Sequence, residues 1–423
     1  MVPFFLASKR ELRRFAVTAL VAMVFVITLF IALPLVASPR AFVSESFFGN
    51  VLTWENWTSH TATAVPSLRV IWALMAADAW ARYSRKLGVV AWTWATLIAI
   101  SCVTTGAHAI VGVGLAAALF VPIRSHGWVW ETLRRGAEAV ANSWREWQFG
   151  PVRVLNHGAY AAAGGGVGLL IALTVAGPAQ FWGVVIIGIF GLFGAALWAQ
   201  KLEGSSGLSR PFGFYGALLG GSVGCLAVGT LGYDVYLMFG AFALCAPWAQ
   251  GIGRLRCLVQ GCCHGRPTAE HIGIKYRMPR SRVLEKGNLG GVSLHPTPLY
   301  SMLTNLVIAI VIVRLWTLGT SLGVITGVAF ILNGFARFVE ESLRGEPQTP
   351  IVGGMRLYQW TAIVSVAIGV TFTLLPTGSA STPISMPTAA AVFAALAFSV
   401  VCGAAMGVDF PRSTRRFARL ASP

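Results

Sequence analysis

Long apolar runs separated by short polar stretches dominate this chain. Runs of about 18 or more predominantly apolar residues are long enough to cross a hydrocarbon core as helices. They recur near 15–36, 66–81, 88–104, 107–123, 157–177, 180–200, 211–229, 233–250, 299–318, 321–341, 356–375 and 387–407. The pattern predicts an all-α, polytopic membrane protein with about twelve transmembrane helices. Two long polar intervals, 124–156 and 251–297, interrupt it. In the first, Arg124, Arg134, Arg135, Arg145 and Arg153 are interleaved with Trp128, Trp130, Trp144 and Trp147. That mixture reads as an amphipathic segment lying in the membrane interface or as a plain linker. The expected organisation is a helical bundle over 1–125, an interfacial linker over 126–156, a second membrane domain over 157–375, and an extra helix with a basic tail over 376–423.

Charge refines this picture. The chain has 423 residues, 56% hydrophobic and 11% charged, with a formal net charge of +17. The basic residues lie mostly between apolar runs, a distribution suited to anionic lipid surfaces rather than to nucleic acid. The positive-inside rule places the N-terminus, the turn at Arg82, Arg85 and Lys86, the 124–156 segment and the Arg412–Arg419 tail in the cytoplasm. A basic start at Lys9 to Arg14 precedes an apolar run too long for a signal peptide, so it reads as a retained anchor. Cys102, Cys225, Cys245 and Cys402 sit inside apolar runs, where a thiol is a small hydrophobe. No disulfide framework is expected.

Candidate chemistry concentrates in Gly253-Arg254-Leu255-Arg256-Cys257-Leu258-Val259-Gln260-Gly261-Cys262-Cys263-His264-Gly265-Arg266, with His295-Pro296-Thr297-Pro298-Leu299-Tyr300 closing the loop. A guanidinium pairs with phosphate oxygens through a planar fork, which makes Arg254, Arg337 and Arg344 candidates for holding a lipid phosphate. Arg337 and Glu341, four apart on a helix, share a face and are expected to pair. Glycines at 253, 261 and 265 let the backbone turn tightly and approach a ligand, whereas Gly216, Gly220 and Gly221 fit helix packing. Cys257, Cys262, Cys263 and His264 offer soft ligands, but their spacing matches no standard zinc knuckle. The expectation is a metal-free turn packed by thiols, with His264 as a candidate proton acceptor and no cofactor.

These motifs resemble, over roughly residues 157–375, the prolipoprotein diacylglyceryl transferase family. They are Gly213-Phe214-Tyr215-Gly216-Ala217-Leu218-Leu219-Gly220-Gly221, Gly253-Arg254 through Gly265-Arg266, His295-Pro296 with Leu299-Tyr300, and Arg337-Phe338-Val339-Glu340-Glu341 with Arg344. The resemblance implies transfer of a diacylglyceryl group from phosphatidylglycerol to a cysteine thiol of a lipoprotein precursor, in the bacterial plasma membrane. It implies catalytic roles for Tyr215, Arg254, His264, Arg337 and Glu341, and lipid contacts at Gly216, Gly253, Arg254, Cys257, Gly265, Arg266, His295, Tyr300, Arg337 and Arg344. The chain departs from the family pattern at four places. Tyr215 stands where most members have His, Cys257 where they have Asn, Ser301 where an acidic residue is usual, and Ala195-Ala196 where an arginine is common. Tyrosine, with a pKa of about 10, is a poor base at neutral pH. A non-catalytic lipid-binding or scaffold protein, and an enzyme using the same donor with another acceptor, are therefore the alternatives.

A fainter resemblance covers about residues 30–125. Pro39-Arg40, Val65-Pro66-Ser67-Leu68-Arg69-Val70, and Ser101 through Gly106-Ala107-His108-Ala109-Ile110-Val111-Gly112 look like the inositolphosphotransferase branch of the type-2 phosphatidic acid phosphatase superfamily. That resemblance implies a histidine nucleophile at His108. Arg69 stands at the expected acid histidine and Gly112 at the orienting Asp, so a relic site at Arg69 and His108 is expected.

Overall fold

The computed structural model describes residues 8–33, 46–58, 65–106, 108–201, 212–345, 351–380, 384, 386–415 and 418–420. Among these, nine helices are long and apolar enough to cross a membrane, or ten if one bent pair counts as a single span. The chain is an all-α, multi-pass membrane protein. The twelve expected spans reduce because the runs near 66–81 and 211–229 form helices of only 16 residues, and the run near 107–123 forms a helix of 15 that bends by 62° into the next. Sixteen residues rise about 24 Å, short of a typical hydrocarbon core of about 30 Å.

Two compact units divide the chain, residues 1–132 and 133–423. The first contains α1 (Lys9–Ala32), α2 (Phe47–Thr58), α3 (Leu68–Tyr83), α4 (Arg85–Thr104) and α5 (Ile110–Arg124). Ser67 caps α3 by accepting from the Val70 amide at 3.4 Å. Its core joins Ala22 and Val26 of α1 with Ile71, Met75, Cys102, Ala116, Phe120 and Ile123. The largely buried Asp78 on α3 pairs with Arg82 and, at 2.8 Å, with Arg124 at the end of α5.

α6 (His126–Ala141) crosses the division between the units. Within the second, Arg134 in the middle of the helix donates to the Gly273 carbonyl at 3.0 Å, and Asn142 just after it bonds the Lys275 carbonyl at 2.9 Å and the Arg277 amide at 2.7 Å. A hairpin of β1 (Glu146–Phe149) and β2 (Val152–Leu155) follows. Trp144, expected among interfacial anchors, is instead buried with Leu155, Val259 and Leu420 in a small core. Trp128 alone among the described tryptophans of that stretch is exposed by more than half.

The second unit continues with α7 (Gly158–Ala176), α8 (Phe181–Lys201), α9 (Phe214–Gly229) and α10 (Val235–Gln260). The loop after α10 carries β3 (Ile274–Lys275), the short α11 (Arg282–Glu285) and β4 (Ser293–Leu294), which pairs with β3. Then come α12 (Thr297–Thr317), α13 (Leu322–Leu343), the hairpin β5 (Ile351–Val352) and β6 (Met355–Arg356), α14 (Leu357–Leu374), α15 (Ala389–Gly407) and β7 (Val408–Asp409). α7 packs between α10 and α15, α8 against α9, α12 against α10, and α13 against α14.

Small residues set these approaches, as expected where lipid removes the usual hydrophobic drive between helices. A Cβ on Gly158 would lie 2.5 Å from the Gly407 Cα, and one on Gly327 2.5 Å from the Gly369 carbonyl. Polar pairs lock the ends. Strand β7 joins the hairpin by pairing with β2, and Asp409 takes both prongs of the buried Arg153 guanidinium at 2.9 and 2.7 Å.

His157, at the foot of α7, is fully buried edge-on to Trp144, with ring centroids 5.0 Å apart, and neither ring nitrogen has a hydrogen-bond partner among the described residues. Burial, reinforced by the charge of Arg256, holds its pKa well below the ordinary value. The unfolded chain's imidazole takes up its proton near pH ~6.5, whereas the buried ring does so only at much lower pH. In that window the unfolded state binds more protons, so stability falls as pH falls. Thermal unfolding midpoints measured from about pH 7.5 to about pH 5.5 should decline more steeply for the natural chain than for His157→Phe. Parallel slopes would show that His157 does not govern this acid sensitivity.

Candidate functional site

An apolar cavity of about 380 Å³ lies among the helices of the second unit. Gly165, Gly168, Ala172, Ile187, Gly191 and Ala246 form part of its apolar wall, while Arg254, Arg256, Arg337 and Arg344 supply the charged part. Such a wall accepts hydrocarbon, and its few convergent polar groups fix orientation.

The charged part is built by α10 and the C-terminal end of α13. Buried Glu340 receives Arg337 at 2.8 Å, Arg344 at 2.9 Å and, from α10, Arg254 at 3.4 Å. Buried Glu341 faces Arg344 at 3.3 Å and the half-buried Arg356 at 3.5 Å. Residues three and four apart both share a face with Arg337; Arg254 from α10 draws Glu340 into the cluster, while Glu341 turns towards Arg356 at the start of α14. This corrects the expected Arg337–Glu341 pair: Glu340 is the hub, and it was missing from the expected site. The signal was present, because a second carboxylate lay within one turn of two candidate arginines.

Three buried arginines face two buried carboxylates, so the cluster keeps a surplus positive charge even before Arg356 is counted. A buried uncompensated charge is costly, and an anionic group entering the cavity relieves that cost. The guanidinium of Arg337 also lies over the rings of Phe214 and Tyr215, 5.0 and 5.7 Å from their centroids. Aromatic faces hold a cation without neutralising it.

Other expected residues fall into distinct places. Tyr215 is buried and its hydroxyl donates to the Tyr358 carbonyl at 3.2 Å, so that oxygen's proton is committed to the backbone. Trp198 donates to the Tyr358 hydroxyl at 3.0 Å and completes an aromatic group under α13. Ser301 accepts from Arg254 Nε at 3.0 Å, replacing an ionic contact with a neutral one at the position where an acid was expected. Gly253 borders the cavity, and nothing lies within 4 Å of where its Cβ would stand. Cys257 borders the cavity as well, 3.9 Å from Arg254 Nη1.

The remaining expected contacts lie outside the cavity lining. Gly216 packs on α8, where a Cβ would fall 2.3 Å from Trp198 Cβ. Gly265 packs on His295 and bridges to Arg344 through the backbone. His264 is buried, with Nδ1 3.0 Å from the Gly265 carbonyl. Arg266 is exposed. His295 Nδ1 sits 3.0 Å from the Tyr300 hydroxyl. Burial and the charge of Arg266 lower the His295 pKa. These residues shape the 264–300 loop around the cluster rather than the cavity wall itself.

In the first unit, the Ser67 amide donates to the Gly112 carbonyl at 3.0 Å, which sets the Arg69 turn beside the start of α5. His108, half-buried, donates its backbone amide to Cys102 at 2.9 Å. Arg40 lies outside the described residues.

Comparison with known proteins converges on the same part of the chain. A family model described as prolipoprotein diacylglyceryl transferase matches residues 147–375. A phosphatidylglycerol–prolipoprotein diacylglyceryl transferase of Clostridium tetani is 28% identical over 164 residues, covering 38% of this chain and 63% of the relative. Phosphatidylglycerol–prolipoprotein diacylglyceryl transferase 2 of Clostridium perfringens is 28% identical over 193 residues, covering 44% of this chain and 71% of the relative. The chain thus spans just under two thirds of the first relative's length. With the family match extending over more than half of its residues and containing the whole arginine–glutamate cluster, the chain belongs to the prolipoprotein diacylglyceryl transferase family.

Proposed function

We propose that this protein is a transferase of the bacterial plasma membrane that takes a diacylglyceryl group from phosphatidylglycerol and places it on a protein thiol. The observation that carries this reading is the buried cluster of Arg254, Arg337 and Arg344 around Glu340, with its surplus positive charge beside an apolar cavity. Acyl chains suit the cavity, and the single negative charge of a phosphodiester suits the surplus. In the proposed step, the acceptor thiolate attacks the glyceryl carbon that bears the phosphate oxygen. A C–S bond forms, the C–O bond breaks, and the electron pair departs with glycerol phosphate. Charge accumulates on that leaving group, and arginines preorganised by Glu340 and Glu341 are placed to stabilise it.

The test of function is whether the gene restores lipoprotein modification in cells depleted of their own transferase. Restoration is expected; loss of it in chains that still bind phosphatidylglycerol would favour a lipid-binding protein without transfer. Tyr215 supports keeping that second reading in view, because its hydroxyl is engaged by the Tyr358 carbonyl and offers no base.

Arg254 should dominate lipid binding. Charge-assisted hydrogen bonds to phosphate are worth about 1.5–3 kcal/mol, so Arg254→Gln should weaken binding to phosphatidylglycerol vesicles by about tenfold or more. Arg254→Lys, which keeps the charge and loses the fork, should fall between it and the natural chain. Arg277→Ala and Arg280→Ala should change binding little, since those side chains are solvent-exposed or nearly so and pair with Glu138 and Glu146. Equal, small effects at all three positions would reject a phosphate site at Arg254.

We also propose that residues 1–132 do not hydrolyse lipid phosphates. A histidine nucleophile needs a group that fixes its tautomer and an acid for the departing alkoxide, and the acid alone is worth about two to four orders of magnitude. Gly112 and Arg69 supply neither. Phosphate release from a short-chain phosphatidic acid should be the same for the natural chain and for His108→Ala. A release that depends on His108 would show the site to be active.

A further inference from the structure

Spacing alone hides what the end of α10 does with its thiols. Gly261 caps the helix in the left-handed region at φ +70°, and Cys263 follows at φ +63°. A non-glycine residue in that region is uncommon and costs roughly 1 kcal/mol or more. Together the two left-handed residues fold the chain back on the last helical turn. The sulfurs of Cys257, Cys262 and Cys263 consequently all lie within 4.8 Å of one another. His264 stands apart from this group, with its Nδ1 turned to the Gly265 carbonyl.

A second observation concerns charge. Arg256 is 7% exposed, and its Nε and Nη2 atoms have no hydrogen-bond partner among the described residues. No carboxylate lies within salt-bridge distance of it among those residues, while the ionisable groups around it are Cys262, Cys257 and Cys263 and the cationic Arg282. A buried guanidinium in that position calls for an anion.

We infer that Cys257, Cys262 and Cys263 form a three-thiolate site for a zinc(II)-type ion, with Arg256 as its counter-charge and the fourth coordination position open towards the cavity. Three thiolates and a divalent ion carry one net negative charge, which balances Arg256. Zinc–sulfur bonds of about 2.3 Å place tetrahedral ligands about 3.8 Å apart, so the sulfurs need to close by less than about 1 Å. Three protein ligands with an open fourth position is the arrangement of a reactive rather than a purely structural zinc site. All three cysteines border the same cavity as Arg254 and Arg344.

The open position has a use that rests on the transferase reading above. An acceptor thiol entering it would bind as the thiolate, its proton passing to water, because a thiol that coordinates such an ion is deprotonated outright. That would supply the activation Tyr215 does not. The metal site itself is independent of that reading and is tested without any activity measurement.

The experiment uses the full-length protein purified in detergent, stripped with a chelator and then exposed separately to zinc(II) and to copper(I). Elemental analysis after removal of free metal should give about one zinc per chain, falling below about a tenth of that in Cys257→Ser, Cys262→Ser and Cys263→Ser. Cys225→Ser, a buried thiol on α9, should retain it. On the unsubstituted chain, bound zinc should slow alkylation of the three cysteines by N-ethylmaleimide by about tenfold or more, a readout that does not depend on the variants folding. Zinc absent from the natural chain, zinc retained when all three cysteines are replaced, or binding of copper(I) alone would each overturn the proposal. A chain that binds zinc yet fails to restore lipoprotein modification would leave the metal site standing and remove the transferase reading.

Discussion

Glu340 is the residue on which the site depends. Placing three guanidinium groups inside a membrane domain costs several kcal/mol per ion unless each finds a partner. One carboxylate meets all three from the last turns of α13, and Glu341 adds a second contact to Arg344. The arrangement is not neutral. It compensates the arginines enough to keep them buried and pointed inward, while the remaining positive charge stays available to a ligand. An exact match of charges would have made a stable salt-bridge network with nothing left for a phosphate. A larger excess would have destabilised the fold. The identity of the residues follows the same logic, because guanidinium forks can accept a carboxylate and a phosphate on different edges.

The apolar half of the site comes from helix packing. Glycines and alanines on α7, α8 and α10 let the backbones approach closely, and the absent side-chain volume contributes to the cavity that those helices enclose. Gly164 shows the coupling: a Cβ there would meet the Ala249 carbonyl at 2.8 Å and the Gly253 nitrogen at 3.2 Å, one residue before Arg254. The contact that fixes α7 against α10 therefore also fixes the backbone that carries the first arginine. Further along, β7 returns to pair with β2, and the buried Arg153–Asp409 pair holds the end of α15 near the foot of α7. α15 and β7 thus contribute packing to the same body as the site.

Much of this was legible in the sequence, and the parts that were not share a cause. Long apolar runs identified the membrane class, and the Gly253-Arg254, Arg337 and Arg344 motifs named three of the four arginines on the cavity wall. Helix lengths were less legible, since α3 and α9 are apolar enough to suggest spans but are ended early by their own turns. Which of two adjacent glutamates would pair with Arg337 was not decidable from spacing, because i+3 and i+4 are both neighbours on a helix and the choice is made by Arg254, 83 or more residues away in sequence. Trp144 was misjudged for a similar reason. It looked like an interfacial anchor among arginines, yet the hairpin and Leu420 near the C-terminus bury it. Local pattern reads the element and tertiary contact assigns the partner.

The departures from the family pattern become coherent when they are considered together. At two of these positions, Tyr215 and Ser301, the side chains are hydroxyls engaged in hydrogen bonds of the framework. The ionisable side chains that distinguish this chain stand instead at the end of α10, where Cys257 shares a helix face with Arg254 and the next two cysteines are folded back upon it. Recognition of an anionic headgroup and activation of an acceptor make separate physical demands, fixed charge for the first and a labile proton for the second. The guanidinium cluster meets the first demand by itself, so the second can be met by other groups on the same cavity wall.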